Sequence, residues 1–205
     1  CAKDPVYFMK KYCYIQHPTR GRIQFNLYPF QEKVLTLLNK NDRNIILKSR
    51  QLGISTLSAG ISLWMMIFQK DKAILVVATK QDTAKNLVTK VKFMYDNLPS
   101  WLQIGFVEKN KLALRLKNGS QIKAVSAASD AGRSEAISLL IIDEAAFIEE
   151  NRIEDIWASS QQTLSTGGRA IVLSTPNGTG NFFHRMWVKA QENQNGFIPI
   201  KLPWT

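Results

Sequence analysis

Apolar residues along this chain fall into two kinds of run. NIIL at 44–47, AILVVA at 73–78 and LLII at 139–142 are short and unbroken. Such runs predict strands buried on both faces, because a half-solvated strand would alternate. Between them the spacing is helical. Within 26–39 a turn precedes an amphipathic helix whose Phe30, Val34, Leu37 and Leu38 share one face. STLSAGISLWMMIFQ (55–69) reads as a helix apolar nearly all round, and QDTAKNLVTKVKFMYDNL (81–98) as another, stopped by Pro99. RAIVLSTPNGTG (169–180) is a strand leaving into a Pro/Gly-rich loop. FFHRMWVKAQEN (182–193) is a last helix and FIPIKL (197–202) a late strand. Residues 112–125 alternate except at Asn118-Gly119, a dipeptide that favours positive φ and predicts a tight hairpin.

Strands alternating with helices define an α/β architecture with a mainly parallel central sheet and helices on both faces. A small β-hairpin insertion is expected near 111–125. A length of 205 residues suits one domain with a full core. Residues 1–25 are expected to form an N-terminal, lid-like extension on a core spanning 26–205. No repeat or low-complexity segment interrupts it. The chain starts at Cys1 without an initiating Met and ends on KLPWT without a stop signal, as expected of a piece of a longer protein.

Composition removes several classes. With 45% hydrophobic and 21% charged residues the chain is that of a folded, soluble protein. No apolar run approaches the roughly 18 residues of a membrane span, and the N-terminus lacks the apolar core of a secretory leader. Two cysteines, Cys1 and Cys13, are too few for a disulfide framework or a zinc site, so a reducing cytosol is expected. The net charge of +11 is unevenly spread. Residues 1–48 and 80–123 each hold nine Lys/Arg against three acids, +6 apiece, while 130–155 hold eight acids against two arginines, −6. That asymmetry suits a polyanion-binding surface beside a site with acidic chemistry, with scattered solvated lysines as the alternative.

The candidate chemistry begins at NIILKSRQLGIST (44–56), a buried strand running into the frame G-x-x-x-x-G-K-[ST]. Gly53 fills the second glycine position and Ser55 the hydroxyl position, with Thr56 behind it. Ile54 stands where the lysine belongs, and Lys48 where the first glycine belongs. A phosphate cradle needs inward backbone N–H groups, a helix N-terminus and a cation. Residues Lys48, Ser49, Arg50, Gln51, Leu52, Gly53, Ile54, Ser55 and Thr56 are therefore the candidate ATP-binding loop, with Lys48 and Arg50 as its cations. An ordinary strand–turn–helix is the alternative.

LLIIDEAAF (139–147) has the Walker B arrangement, a buried strand ending in adjacent carboxylates. Asp143 and Ser55 are candidate Mg²⁺ ligands and Glu144 the candidate activator of water. Ser174-Thr175 at a strand's end, with Pro176 behind, can sense a γ-phosphate, though the segment also reads as a plain turn. Phe30-Gln31 offers an aromatic ring and an amide suited to adenine, with a surface glutamine on a helix as the alternative. Arg133, on the Gly-containing SDAGRSEA loop, suits an arginine finger or a DNA-facing arginine. His17 and His184 stand apart, and no further acid cluster suggests nuclease chemistry.

LKSRQLGIST, LLIIDEAAFI and LSTPNGTGNFF together resemble the ATPase domain of large terminase subunits, the DNA-packaging motors of tailed bacteriophages, over about residues 20–205. The resemblance implies a RecA-like (ASCE) P-loop ATPase. Its cofactors would be ATP and Mg²⁺, and its partners double-stranded DNA, the portal protein and the small terminase subunit. It also implies a homo-oligomeric ring, expected as a pentamer on the procapsid, built from subunits expected to be monomeric as isolated domains, in the host cytoplasm with no membrane. A C-terminal nuclease domain normally follows and is absent here, so no nuclease activity is expected. By position, Glu144, Arg133 and Arg50 would be catalytic, and Ser174, Thr175 and Pro176 the coupling motif. Some members carry G-K-[ST], which Ile54 departs from; others place the lysine where Lys48 stands. The rival readings are a helicase-like translocase and a DNA-binding assembly module with a degenerate nucleotide site.

Overall fold

The computed structural model describes residues 1–127, 136–164 and 167–203, with backbone only at 162 and 163. Six α-helices and ten strands are seen among them. In chain order they begin with α1 (Pro5–Tyr12), β1 (Tyr14–His17), β2 (Gly21–Gln24), α2 (Pro29–Lys40), β3 (Arg43–Lys48), α3 (Ile54–Phe68), β4 (Ala73–Ala78) and α4 (Gln81–Asp96). There follow β5 (Phe106–Lys109), β6 (Ala113–Leu116), β7 (Gln121–Ser126), β8 (Leu139–Asp143), α5 (Glu150–Leu164), β9 (Arg169–Ser174), α6 (Phe182–Gln191) and β10 (Ile198–Leu202).

One sheet runs β10-β3-β9-β8-β4-β7-β6-β5. Its first six strands are parallel, and β6 and β5 continue it antiparallel. The Asn118-Gly119 hairpin forms between β6 and β7, with Gly119 at φ +85°. It is more than an appendage, because β7 pairs along its full length with β4 and so belongs to the parallel sheet.

The unbroken apolar runs divide their side chains between two cores with strict period two. Ile46, Ile74, Val76, Leu139, Ile141 and Leu173 join the face covered by α1–α4. Ile45, Leu75, Val77, Leu140, Ile142 and Val172 join the face covered by α5 and α6. This is why those strands carry no polar alternation.

The N-terminal residues are built into the first core. Phe8, Met9 and Cys13 are fully buried. A Cβ added at Gly60, mid-way along α3, would meet Met9 Sδ at 2.7 Å, so glycine there leaves the space that the Met9 side chain of α1 fills. The antiparallel pair β1–β2 lies over α4, where Arg22 Nη1 donates to Asn97 Oδ1 at 3.1 Å. At the start of β9, Arg169 donates to the carbonyls of Leu38, Asn39 and Asn41 and so closes the C-terminus of α2. Burial lowers the pKa of this guanidinium, and Asp42 at 3.5 Å opposes the shift. Among the described residues no helix is long and apolar enough to cross a membrane.

Candidate nucleotide site

The parallel strands all point their C-terminal ends to one edge. There β3 hands over to α3 on one face of the sheet, while β8 and β9 lead to α5 and α6 on the other. Open α/β sheets bind ligands in the crevice that this change of face creates. A cleft of about 520 Å³ lies at that edge. It is lined by Lys48, Arg50 and Gln51 after β3, Thr79 and Lys80 after β4, Glu144 and Phe147 after β8, and Thr175 after β9.

The loop between β3 and α3 is held in an uncommon shape. Gln51 has φ +61° and Gly53, the residue before α3, φ +72°. Two left-handed residues so close turn the backbone sharply at the helix N-terminus, as an anion-binding concavity requires. Gln31 braces the turn from α2. Its Nε2 donates to Leu52 O at 2.9 Å, its Oε1 accepts from Tyr28 N at 3.1 Å, and it is only 4% exposed. A Cβ on Gly53 would come within 2.7 Å of that Nε2. Neither Gln31 nor Phe30 lines the cleft. Phe30 packs against the core and stacks on Tyr28, rings 5.9 Å apart and 8° from parallel, so that Tyr28 is the exposed ring.

Ser55 and Asp143 are brought together across 88 positions of sequence. Ser55 Oγ donates to Asp143 Oδ2 at 2.8 Å, joining the first turn of α3 to the end of β8. Asp143 is buried, and its Oδ1 accepts from Glu144 N at 2.9 Å. Glu144 itself has φ +55°, a left-handed conformation that costs a non-glycine residue about 1 kcal/mol or more. The strain turns the chain out of the strand and presents the Glu144 carboxylate to the cleft, where Thr79 Oγ1 donates to Oε2 at 3.4 Å.

The segment after β9 grips the same turn. Ser174 is fully buried and its Oγ accepts from Ala146 N at 3.1 Å; Asn177 Nδ2 donates to Ala146 O at 2.9 Å. Thr175, between them, faces the cleft. Pro176 is exposed. Thus Ser174 contacts the Glu144 turn and Thr175 the cavity. Arg50 and Gln51 are exposed at the cleft; Ser49, Leu52 and Thr56 are half-buried in and behind the loop; Ile54 is 1% exposed and sinks into the core. Arg133 lies outside the described residues.

Thr79, Lys80 and Phe147 line the cleft without having been singled out in the sequence. The signal for Thr79-Lys80 was available: AILVVATK is a buried strand that runs straight into polar residues, as LLIIDE does.

A sharp loop between a parallel strand and a helix, its hydroxyl tied to an acid at the end of a nearby strand with a second acid beside it, defines the class of RecA-like P-loop nucleotide-binding domains. Residues 45–204 match the family described as "Terminase large subunit, T4likevirus-type, N-terminal", and the chain belongs to that family. Similar solved structures include the HK97 bacteriophage large terminase, with a TM-score of 0.78 at 17% identity; the alignment covers 98% of this chain and 43% of that one. The Thermus phage P74-26 large terminase ATPase domain aligns with a TM-score of 0.67 at 19% identity, over 82% of this chain and 79% of its own. The large terminase of another thermophilic bacteriophage, in complex with ATP-gamma-S, aligns at 0.65 with 14% identity, over 86% of this chain and 44% of its own. At these identities the likeness is one of fold. The chain spans less than half of the HK97 protein and of the ATP-gamma-S-bound one.

Proposed function

We propose that this chain binds ATP in the 520 Å³ cleft and hydrolyses it as the motor domain of a DNA-packaging terminase. The observation that carries the reading is the 2.8 Å Ser55–Asp143 hydrogen bond, with Glu144 and Lys48 opening on the cleft beside it. Backbone N–H groups at the start of α3, with Lys48 and Arg50, hold the triphosphate. Water attacks the γ-phosphorus, passes a proton to Glu144, and the bond to the departing ADP breaks. Arg50, exposed at the mouth, stabilises the charge that develops, and Arg133 is the candidate for the same task.

The Ser55 hydroxyl and Asp143 carboxylate form an oxygen-only donor pair that fits Mg²⁺. This cation is usually held by one or two protein ligands plus water and phosphate oxygens. Among the described residues no group of three or more His, Cys, Asp or Glu forms a cage, which agrees with a ligand set completed by the nucleotide. Bound there, Mg²⁺ would neutralise phosphate charge. Ser174 and Asn177, both on Ala146, link the water-activating turn to the loop after β9, and that link supports the coupling role of Ser174, Thr175 and Pro176. Double-stranded DNA is the proposed track, a portal protein and small terminase subunit the proposed partners, a ring the working assembly and the host cytoplasm the setting.

The test is steady-state ATP turnover with DNA for the unaltered chain, Glu144→Gln and Lys48→Ala. Glu144→Gln is expected to keep ATP affinity and lose roughly 10²–10⁴-fold in turnover. Full turnover by that variant overturns the proposed chemistry. DNA affinity should fall steeply with salt, and a flat dependence removes the backbone-contact reading.

A further inference from the structure

A carboxylate that takes a proton from water must be held still in front of it. Glu144 carries its carboxylate on a long, rotatable side chain at the wall of an open cleft. Its left-handed backbone, and the bond from its N–H to Asp143 Oδ1, fix where that side chain starts but not where it ends. A base free to change rotamer meets the attacking water only part of the time. Among the described residues one side chain hydrogen-bonds the Glu144 carboxylate. Thr79 Oγ1 donates to Oε2 at 3.4 Å, across 65 positions of sequence.

The donor is built as an anchor. Strands β4 and β8 pair in parallel with Val77 opposite Ile142, so that Thr79 and Glu144 leave their strand ends at the same level. Ala78, the residue before Thr79, is fully buried, and its carbonyl accepts from Ala127 N at 3.0 Å, which clamps the strand end. Thr79 is half-buried and β-branched, hence stiff about χ1. Lys80 beside it is exposed and has no such constraint. The 3.4 Å contact is long for an O–H···O bond, so the anchor is a weak one. It occupies one carboxylate oxygen and leaves the other to accept.

We propose that Thr79 is a positioning residue for hydrolysis, its hydroxyl holding one oxygen of the Glu144 carboxylate so that the other takes the proton of the attacking water. The inference rests on the hydrolysis proposed above and adds a residue from β4 to it. In that step a water O–H bond breaks as the oxygen bonds to the γ-phosphorus, the proton goes to the free oxygen of Glu144, and the bond to the departing ADP breaks. Thr79 keeps its own proton throughout.

The experiment measures ATP-gamma-S binding, and ATP turnover with DNA, for the unaltered chain, Thr79→Val, Thr79→Ser, Glu144→Gln and the Thr79→Val/Glu144→Gln pair. Circular dichroism confirms folding. Thr79→Val keeps the shape of the side chain and removes the donor. It is expected to lower kcat roughly tenfold, the modest end for a lost hydrogen bond to a charged group. KM and ATP-gamma-S affinity should hold within about twofold. Thr79→Ser restores the hydroxyl and should recover most of kcat. In the Glu144→Gln background no base is left to position, so Thr79→Val should lower the residual turnover no further. An unchanged kcat in Thr79→Val overturns the proposal and leaves the nucleotide site and Glu144 standing. A matching loss of ATP-gamma-S affinity also overturns it, by making Thr79 a ligand contact, as does a further loss of roughly tenfold in the pair. If Glu144→Gln keeps full turnover, the acid and its anchor fall together.

Discussion

Replacing Gly53 by alanine tests whether the phosphate loop is shaped by its contact with α2. Gly53 has φ +72°, a conformation that costs an L-residue about 1–2 kcal/mol. The new Cβ would also lie 2.7 Å from Gln31 Nε2, so the amide must retreat. That retreat loses the 2.9 Å bond to Leu52 O, a net loss of about 1 kcal/mol. Gly53→Ala is therefore expected to destabilise the chain by about 2–3 kcal/mol, lowering Tm by roughly 4–12 °C for a domain of this size. The two parts separate in a double-mutant cycle. In a Gln31→Ala background there is no amide to displace, and Gly53→Ala should cost only the backbone part. A coupling of about 1 kcal/mol is expected from thermal or urea unfolding of the four proteins. Strict additivity would refute the Gln31 brace. A Tm unchanged by Gly53→Ala alone would refute the left-handed strain as well.

Three further outcomes are expected. Arg169→Ala strips the donor from three carbonyls at the end of α2 and should lower stability by about 2–3 kcal/mol, read as a lower urea midpoint; a midpoint unchanged from the parent contradicts that role. Met9→Ala, at a fully buried position against Gly60, should destabilise by about 2–5 kcal/mol; a neutral result would mean α1 is not part of the core. Burial pushes the Cys13 thiol well above its ordinary pKa, so a thiol reagent at neutral pH should label only Cys1 in the folded chain and both cysteines in denaturant; rapid labelling of Cys13 in the folded chain contradicts the packing.

The elements legible in the sequence were those whose environment is uniform along their length. The run at 73–78 reads as a strand because β4 is covered on both faces, and 81–98 as a helix because one face of α4 meets the core. Elements with sparse apolar residues were harder to read. In α1, Phe8 and Met9 stand among lysines, and the segment read as an extension. Helix α5 carries Ile153 and Ile156 amid acids and amides, a pattern too sparse in apolar residues to predict a helix. The hairpin at Asn118-Gly119 was legible from its turn chemistry, but the parallel pairing of β7 with β4 was not, since Ala73 pairs with Gln121 and Ala78 with Ser126, far along the chain.

The candidate site divides in the same way. The sequence by itself determined the chemical parts: a glycine that permits a left-handed turn, a hydroxyl at a helix start, and two acids at the end of a buried strand. Local pattern suffices for these because backbone conformation and burial period act between near neighbours. Only the tertiary structure decided which parts meet. Strand order β3-β9-β8 brings Ser55 to Asp143 and Ser174 to Ala146. The closeness of α2 to the phosphate loop turns Gln31 into its brace. Those contacts join residues far apart in the chain, and the strand order and helix packing that create them leave no local periodic trace.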